Sequence, residues 1–264
     1  MNFVLLGDPV AHSKSPKMHA AAYRALGLDH TYEALRVHEL EIGAWVDRLR
    51  RREIGGINVT IPHKRAALQF ADVIDESAKA CDACNVLAYV DGSVIAYNTD
   101  VAAIAEELGP AASGKAVDGS AEGGTSRKAI VLGRGGAARA AIAALKSLGA
   151  TKIITRARAG GDEPLTPTGS EKDATWIVQC TSAGMTGADP GGEIARAVDF
   201  SLAPHALAYD VIYEPRQTPF LVAAHEAGLR TKNGTGMLAR QGAIAFEIWL
   251  DVKPPLDVML AAIQ

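Results

Sequence analysis

The sequence has no excess of positive charge and no long apolar run. It contains 27 Lys and Arg against 30 Asp and Glu, a net charge of -3, which gives no general attraction to nucleic acid. No apolar stretch reaches the roughly 18 residues that a membrane-spanning helix needs. The amino-terminal MNFVLLGDPV lacks the basic segment and cleavage site of a secretion signal. We therefore expect a cytoplasmic protein with no nucleic-acid or membrane partner.

Cysteine is also scarce. Three cysteines, Cys81, Cys84 and Cys180, cannot all pair within one chain, which suits a reducing compartment. Cys81 and Cys84 have the C-x-x-C spacing of redox and zinc sites, but no second pair of ligands at similar spacing is nearby. We expect no metal.

Short β-rich runs alternate with longer alanine-rich segments of helical period, which predicts an α/β fold with largely parallel sheet. Strands are predicted at 3–6, 31–36, 56–61, 94–97, 129–132, 152–155, 175–179 and 206–210, and helices at 16–26, 39–51, 101–108, 137–148, 219–227 and 236–250. A chain of 264 residues exceeds the roughly 250 at which single cores stop growing, so two domains separated by a cleft are expected. The glycine-rich segment 109–126 predicts a linker, and the polar segment 157–172 predicts a poorly ordered loop.

A lysine lies at the end of a predicted strand in the segment GINVTIPHK, residues 56–64. In a cleft, Lys64 could donate a proton to a substrate. Asn58 and Thr60 of the same segment could hydrogen-bond a hydroxylated ligand beside it. The spacing alone is equally typical of a surface lysine that follows a strand.

The segment GRGGAA, residues 133–138, follows an apolar strand and precedes an alanine-rich helix. This pattern fits the G-x-G-x-x-G/A fingerprint of dinucleotide-binding domains. Gly133 would permit the tight turn, Gly135 would let the backbone approach a pyrophosphate, and the helix N-terminus would supply free N–H groups.

The next predicted strand runs into Thr155, Arg156 and Arg158, where an NAD-binding domain usually has an acidic residue. Two guanidinium groups and a hydroxyl suit the 2'-phosphate of NADP, whose charge an acidic residue would repel. The pattern therefore favours NADP over NAD, with an exposed basic turn as the alternative.

Seven motifs in the same order resemble the shikimate dehydrogenase family across nearly the whole chain. They are GDPVAHSKSP at 7–16, GINVTIPHK at 56–64, NTD at 98–100, LGRGGAAR at 132–139, TSAGM at 181–185, DVIYEPRQTP at 210–219 and GMLARQGA at 236–243.

The resemblance implies an enzyme that reversibly reduces 3-dehydroshikimate to shikimate with NADPH, a step of chorismate and aromatic amino-acid biosynthesis. It implies a substrate domain at 1–101, to which 236–264 return, and a Rossmann-like NADP-binding domain at 102–235.

The resemblance also implies roles for individual residues. Lys64 and Asp100 would form the catalytic pair. The substrate would contact Ser13 and Ser15 through its carboxylate and Asn58, Thr60, Asn85, Gln241 and Asp100 through ring hydroxyls, with Tyr213 either lining the pocket or packing. The cofactor would contact Gly133, Arg134, Gly135, Gly136, Ala137, Thr155, Arg156, Arg158, Thr181 and Gly234.

Several positions depart from the family pattern. Residues 82–86 read DACNV where Gly-Ala-x-Asn-Thr is usual, and Arg134 replaces a small residue, so that its side chain either reaches the phosphates or points outward. The adenosine end reads Thr155-Arg156-Ala157 instead of Asn-Arg-Thr, residues 179–181 read Gln-Cys-Thr instead of Asn-Ala-Thr, and the segment 158–175 is shorter than in the family.

Two alternatives remain open at this point. One is a quinate/shikimate dehydrogenase of broader specificity that uses NAD. The other is a shikimate-binding homologue that uses the cofactor poorly because its second domain is shortened. His12 and His63 are expected to be structural, and the sequence does not distinguish a monomer from a homodimer.

Overall fold

The computed structural model of the protein describes residues 1–112 and 127–264. The predicted linker lies outside the described residues from 113 to 126. The elements of the first part of the chain are β1 (Asn2–Gly7), α1 (Ser15–Ala25), β2 (Thr31–Arg36), α2 (Ile42–Arg50), β3 (Gly56–Val59), β4 (Val73–Ile74), α3 (Glu76–Cys81), β5 (Val86–Val90), β6 (Ser93–Tyr97) and α4 (Thr99–Ala112). The later elements are β7 (Lys128–Leu132), α5 (Gly136–Ser147), β8 (Lys152–Arg156), β9 (Trp176–Gln179), α6 (Gly192–Ala195), β10 (Leu207–Asp210), α7 (Pro219–Glu226), β11 (Arg230–Lys232), α8 (Thr235–Leu250) and α9 (Leu256–Ile263).

The described residues divide into two compact units. The first unit comprises Met1–Asp100 together with Leu238–Gln264, and the second comprises Val101–Met237. The chain changes units near the start of α4 and again near the start of α8. In the ranges that the structure describes, no helix combines the length and the apolar character of a bilayer-spanning segment.

The sheet of the first unit is mixed. Its strand order is β2-β1-β3-β5-β6-β4. β1 pairs in parallel with β2 and β3, and β4 pairs in parallel with β6, whereas β5 is antiparallel to both β3 and β6. The parallel strands β1 and β2 are joined by a crossover through α1, while the short connection from β5 to β6 makes a hairpin.

Both faces of this sheet are covered by apolar side chains. Successive side chains of a strand point to opposite faces. Accordingly, Phe3 and Leu5 of β1 pack in one core with residues of α1, α8 and α9, and Val4 and Leu6 pack in another with residues of α2. A strand that is buried on both faces needs a continuous apolar run, which β1 has.

The second unit contains a parallel sheet of strand order β11-β10-β9-β7-β8. Residues of β7, β8, β9 and β10 contribute to one core with residues of α6 and α7. β7 lies between β8 and β9, so the chain crosses the sheet in one direction after β7 and returns past it to form β9. The carboxyl end of β7 is therefore the topological switch point of this sheet, where α/β folds commonly bind ligands.

The predicted α/β class is confirmed, and each predicted strand and helix has a counterpart within a few residues. Six of the elements were missed entirely: β4, α3, β5, α6, β11 and α9. The expectation of a largely parallel sheet holds for the second unit, but the first unit contains the antiparallel strand β5.

Candidate active site

Several predicted site residues meet at one edge of the first sheet. β1 and β3 are parallel neighbours, so the segments that follow them, beginning at Asp8 and Thr60, leave the sheet at the same edge. β5 is antiparallel to β3, and β6 is antiparallel to β5. The residue before β5, Asn85, and the residues after β6, beginning at Asn98, therefore lie at this edge too. Pairing of the strands thus collects four segments that are distant in sequence.

Lys64 and Asp100 form a close ion pair at this edge. Nζ of Lys64 donates to Oδ2 of Asp100 at 2.6 Å, and the two side chains are 18% and 4% exposed. The backbone oxygen of Lys64 accepts from Cys84 N at 2.8 Å, which anchors the lysine beside the start of β5. A largely desolvated, charge-assisted hydrogen bond holds the ammonium in one orientation, and the pair can deliver a proton at a fixed point.

Asn85 connects this pair to the start of α4. Its Nδ2 donates to Oγ1 of Thr99 and to Oδ1 of Asp100, each at 2.9 Å, and lies 3.4 Å from Oε1 of Gln241. Its Oδ1 accepts from Thr99 N at 2.8 Å. Asn98 Oδ1 accepts from Asp100 N at 3.1 Å, so two asparagines satisfy N–H groups at the helix start that would otherwise lack partners. Asp100 is therefore held through its backbone and its side chain.

The departure at residues 82–86 is accommodated without displacing Asn85. Asp82 takes the left-handed conformation, with φ 48° and ψ 43°, at the end of α3, where a glycine would be free of strain and an aspartate is tolerated. Asn85 N donates to Tyr97 O at 3.0 Å, and Asn85 O accepts from Val59 N at 2.9 Å. The asparagine therefore stays in register with both neighbouring strands.

Ser13 and Ser15 lie where the β1 loop enters α1. The helix begins at Ser15, not at Pro16, and its N-cap position is occupied by Lys14, which makes no side-chain capping bond. Ser15 N donates to Oγ of Ser13 at 3.2 Å. Ser15 is therefore not the N-cap, and the start of α1 combines hydroxyl groups with the positive end of the helix, a setting that favours an anion.

Asn58, Thr60 and Gln241 belong to the same unit. Asn58 is 4% exposed; its Oδ1 accepts from the Tyr32 hydroxyl at 2.7 Å, and its Nδ2 donates to Asn85 O at 2.9 Å. Thr60 follows β3 and donates its N–H to Leu6 O at 2.9 Å. Gln241 lies on α8, and its contact with Asn85 brings it to the Lys64 and Asp100 pair.

The histidine and cysteine alternatives have structural explanations. His63 is buried, with Nε2 2.9 Å from Val37 O, whereas His12 is exposed. Cys81 and Cys84 are buried free thiols, and burial raises the pKa of Cys84 to about 12. Within the described ranges, no cluster of His, Cys, Asp or Glu has an arrangement suited to a metal ion.

In the second unit, the loop that follows β7 has the geometry of a dinucleotide cradle. Gly133 has φ 113°, a conformation that favours glycine, and a Cβ there would lie 3.0 Å from Cγ2 of Thr181. A Cβ on Gly135 would meet no atom within 4 Å, so the space above this residue is open. Gly135 caps α5 without any side-chain hydrogen bond to the helix. Gly136 and Ala137 form the first turn of α5, so their N–H groups suit a pyrophosphate, and the loop fits the cofactor that the sequence predicts.

Arg156 does not face a cofactor. Its side chain is fully buried and makes ion pairs with Glu163 and Glu171; Nη1 donates to Ala197 O at 2.8 Å, and Nη2 also donates to Thr168 Oγ1. Burial acts to raise the pKa of Glu171, but the hydrogen bond from Arg156 holds it below its usual range. The expectation that Arg156 binds a 2'-phosphate is therefore corrected, because its guanidinium instead holds the segment after β8 against the unit.

The same ion pairs give order to the polar segment 157–172, for which poor order is expected from its composition. Glu163 N donates to Thr155 O at 3.0 Å, and Ala157 N donates to Glu163 O at 3.4 Å. The segment contains no named helix or strand, but it folds back along β8 and supplies the partners of the buried arginine.

The other predicted adenosine-end residues are on the surface. Arg134 is exposed, and its Nη1 donates to Ala159 O at 2.9 Å, so its guanidinium lies over the loop that follows β8. Arg158 is 65% exposed and pairs with Asp189 and Glu193. Thr155 donates through Oγ1 to Oδ2 of Asp162 at 3.0 Å. Two guanidinium groups and three carboxylates, those of Asp162, Asp189 and Glu193, therefore lie near the end of β8.

Thr181 and Gly234 support neighbouring turns. Thr181 N donates to the Gln179 side chain, and Oγ1 of Thr181 accepts from Ala183 N at 3.1 Å. Gly234 N donates to Ile212 O at 2.9 Å, and a Cβ on Gly234 would lie 2.0 Å from Val211 O. The close approach of the two backbones explains this glycine without a ligand.

Tyr213 follows β10 in a loop organised by Asp210. Oδ2 of Asp210 accepts from the Thr218 hydroxyl at 2.6 Å, and Oδ1 accepts from Ile212 N at 2.9 Å. Burial raises the pKa of Asp210 to about 6, although these hydrogen bonds and one from Gln179 oppose the shift. The loop that carries Tyr213 thus depends on a buried carboxyl group.

Two residues at these sites were missed by sequence reasoning. Tyr32 contacts Asn58, and its only signal is an aromatic residue in a strand, which is typical of any core. Asp162 contacts Thr155, but it is seven residues further along an irregular segment, and no periodicity indicates that this segment folds back.

Comparisons with known proteins agree with the fold. The profile of the shikimate dehydrogenase substrate-binding domain matches residues 5–87, and that of the shikimate 5'-dehydrogenase C-terminal domain matches residues 234–264. The shikimate dehydrogenase (NADP(+)) of Geobacter sulfurreducens is 35% identical over 98% of this chain and 94% of its own length.

Solved structures give the same result. The crystal structure of shikimate 5-dehydrogenase from Thermus thermophilus in complex with NADP(H) and shikimate has a TM-score of 0.83 at 32% identity, with 100% of this chain and 98% of that chain covered. Shikimate 5-dehydrogenase from Listeria monocytogenes, in complex with shikimate and NAD, has a TM-score of 0.80 at 26% identity, covering 98% of this chain and 94% of that one. The order of motifs, the mixed and parallel sheets and the full-length similarity lead to one conclusion: the chain belongs to the shikimate dehydrogenase family.

Proposed function

We propose that the protein is an NADP-dependent shikimate dehydrogenase, which catalyses the reversible reduction of 3-dehydroshikimate to shikimate. The observation that carries the proposal is the ion pair of Lys64 and Asp100, 2.6 Å apart and largely buried, at the sheet edge where the hydroxyl-binding candidates converge. The family membership gives this pair its substrate.

Lys64 is the proton donor in the direction of ketone reduction. NADPH supplies the hydride when it is bound. Nζ of Lys64 gives a proton to the carbonyl oxygen, where negative charge would otherwise develop, and takes it back from the hydroxyl in the reverse direction. Asp100 orients the ammonium through Oδ2, and Asn85 fixes the carboxylate through Oδ1.

The substrate is held by neutral and anion-binding groups of the same unit. Ser13, Ser15 and the first turn of α1 bind its carboxylate, because hydroxyl groups and the helix dipole act together there. The side chains of Asn58, Thr60, Asn85 and Gln241 bind its ring hydroxyls, and Tyr213 is a further candidate for contact with the substrate. This assignment makes residues 1–101 with 236–264 the substrate domain.

Residues 102–235 form the NADP-binding domain. The loop Gly133 to Ala137 takes the pyrophosphate, and Thr181 and Gly234 line the cofactor site. Arg134 and Arg158 provide the positive charge near the 2'-phosphate, because both are exposed near the end of β8 whereas Arg156 is buried. Thr155 completes this end of the site.

The direct test is absorbance at the nicotinamide band with purified protein, shikimate and NADP. We expect shikimate-dependent formation of NADPH that is abolished by Lys64→Ala. Absence of turnover in the unchanged protein, with folding verified by circular dichroism, would overturn the proposal.

Asp162 favours a second candidate, a quinate/shikimate dehydrogenase that uses NAD. Its carboxylate lies 3.0 Å from Oγ1 of Thr155, near the position where an acidic residue accepts the ribose hydroxyls of NAD. Steady-state comparison of NADP with NAD, each with shikimate and quinate, separates the two candidates: a higher kcat/KM with NAD and quinate supports the second.

We also place the enzyme in the cytoplasm, as a monomer or homodimer. A reducing compartment suits its three buried free thiols, and size-exclusion chromatography with light scattering distinguishes the two states.

A further inference from the structure

Tyr32 is a buried residue outside the family motifs, and its hydroxyl contacts a predicted substrate-binding residue. Tyr32 lies on β2, and its hydroxyl donates to Oδ1 of Asn58 on β3 at 2.7 Å. β2 and β3 flank β1 on opposite sides. Tyr32 is the register partner of Phe3 and Asn58 that of Leu5, so this contact passes across the middle of β1.

The surroundings of Tyr32 keep its hydroxyl protonated and its ring fixed. Tyr32 is 7% exposed, and burial raises its pKa well above the usual range. Its ring stacks on His19 at a centroid separation of 4.2 Å and an angle of 3°. Burial lowers the pKa of His19 to about 3, so the imidazole is neutral and acts as a flat packing surface. Tyr32 is therefore a rigid hydrogen-bond donor.

A rigid donor determines which way the Asn58 amide faces. With Oδ1 bonded to Tyr32 and one Nδ2 hydrogen bonded to Asn85 O at 2.9 Å, the amide is held at both ends. Its second N–H is then presented in one orientation, as a donor to a substrate oxygen. Without the Tyr32 hydroxyl, the buried Oδ1 of Asn58 would lose the hydrogen bond that it accepts from Tyr32. The amide would then be held only by its bond to Asn85 O.

We propose that Tyr32 is a positioning residue for substrate binding, which orients the Asn58 amide through its hydroxyl group. The inference rests on the proposed function, since it takes the substrate to be shikimate. Tyr32 does not touch the reacting atoms, so its removal weakens substrate binding more than it slows the chemical step.

Tyr23 offers a matched control. It is 1% exposed and belongs to the same aromatic cluster, with its ring centroid 6.1 Å from that of His19. Among the residues that the structure describes, its hydroxyl has no hydrogen-bond partner. Replacement of either tyrosine by phenylalanine removes one buried hydroxyl from the same cluster, but only Tyr32→Phe removes a bond to the substrate site.

The experiment compares the unchanged protein with Tyr32→Phe and Tyr23→Phe. Shikimate binding is measured by calorimetry without cofactor, and KM and kcat are measured with NADP. One net hydrogen bond is worth a factor of about 3 to 10 in binding, so we expect Tyr32→Phe to raise the Kd and KM for shikimate about that much. The KM for NADP and kcat should stay within about twofold, and Tyr23→Phe should leave all four values unchanged.

A double-mutant cycle shows whether Tyr32 acts through Asn58. On an Asn58→Ala background, we expect Tyr32→Phe to have a clearly smaller effect on the Kd for shikimate than it has alone. Equal Kd values for Tyr32→Phe and the unchanged protein, or full additivity with Asn58→Ala, would overturn the inference alone. No shikimate binding by the unchanged protein would overturn the proposed function and the inference with it.

Discussion

Nζ of Lys64 lies 2.6 Å from Oδ2 of Asp100, and the other oxygen of that carboxylate accepts from Asn85. Both oxygens of Asp100 are thus used to hold neighbouring groups, and Oδ2 orients the lysine ammonium. The fixed ammonium is what distinguishes this strand-end lysine from an ordinary surface lysine.

Lys64→Ala should remove the proton donor while leaving the substrate-binding groups in place. Positioned proton transfer contributes about 10²- to 10⁴-fold to rates, so we expect kcat for shikimate oxidation to fall by that factor, with shikimate still bound. Lys79→Ala is the control, because Lys79 is exposed and makes a surface pair with Glu76. Activity of Lys64→Ala within a few-fold of the unchanged protein would show that another group carries the proton.

Arg134→Ala should weaken binding of NADPH more than that of NADH. Charge-assisted hydrogen bonds are worth about 1.5–3 kcal/mol, so the KM for NADPH should rise roughly 10- to 100-fold while that for NADH changes little. Calorimetry with adenosine 2',5'-bisphosphate and with AMP measures the same preference without turnover.

Arg127→Ala is the matched control for Arg134→Ala. Its guanidinium also donates to a backbone carbonyl, that of Leu148 at 2.8 Å, but it precedes β7 and so lies at the opposite edge of the sheet. An equal loss of NADPH and NADH binding in Arg134→Ala would contradict a role at the 2'-phosphate.

Arg156→Met should destabilise the protein without changing its cofactor preference. Loss of one member of a buried ion pair leaves an uncompensated charge and costs about 3–5 kcal/mol, here the carboxylate of Glu171. The double replacement of Arg156 and Glu171 by methionine should cost less than the single one. Urea unfolding measures stability, and the ratio of KM values for NADPH and NADH measures preference. A changed ratio in a variant of unchanged stability would return Arg156 to the cofactor site.

The sequence predicts the site residues of the first unit better than it predicts their connections. Lys64, Asn85 and Asp100 are found from motifs, but their meeting depends on β5 running antiparallel to β3. The segment Val86–Val90 is short and apolar, and such a run does not reveal the direction of its pairing. The hydrogen bond between Tyr32 and Asn58 also depends on sheet order, which no local pattern encodes.

At the adenosine end, the sequence was misleading for a physical reason. Arg156 is the last residue of β8, and alternation along a strand decides whether its side chain points into the core or toward solvent. Two glutamates from the following irregular segment make the buried orientation possible. Their approach requires the chain to fold back after Thr155, and neither composition nor periodicity indicates that turn.

Asp210 should make stability depend on pH. Its pKa is about 6 in the folded protein and about 3.9 in an unfolded chain. Between these values the folded state binds more protons, so this group lowers stability as pH rises from about 4 to about 6 and has a constant effect above that.

In Asp210→Asn, the amide can donate to Thr218 Oγ1 and accept from Ile212 N, and it carries no charge. We therefore expect the replacement to be more favourable at pH 7.5 than at pH 4.5, relative to the unchanged protein at each pH. Thermal unfolding midpoints of both proteins at the two pH values measure the difference, with the exposed Asp29→Asn as control. The contrary outcome is that the two proteins differ in unfolding midpoint by the same amount at pH 4.5 and at pH 7.5. That result would mean that Asp210 has the same pKa in the folded and unfolded chains. The stability of the loop that carries Tyr213 would then not depend on protonation of Asp210.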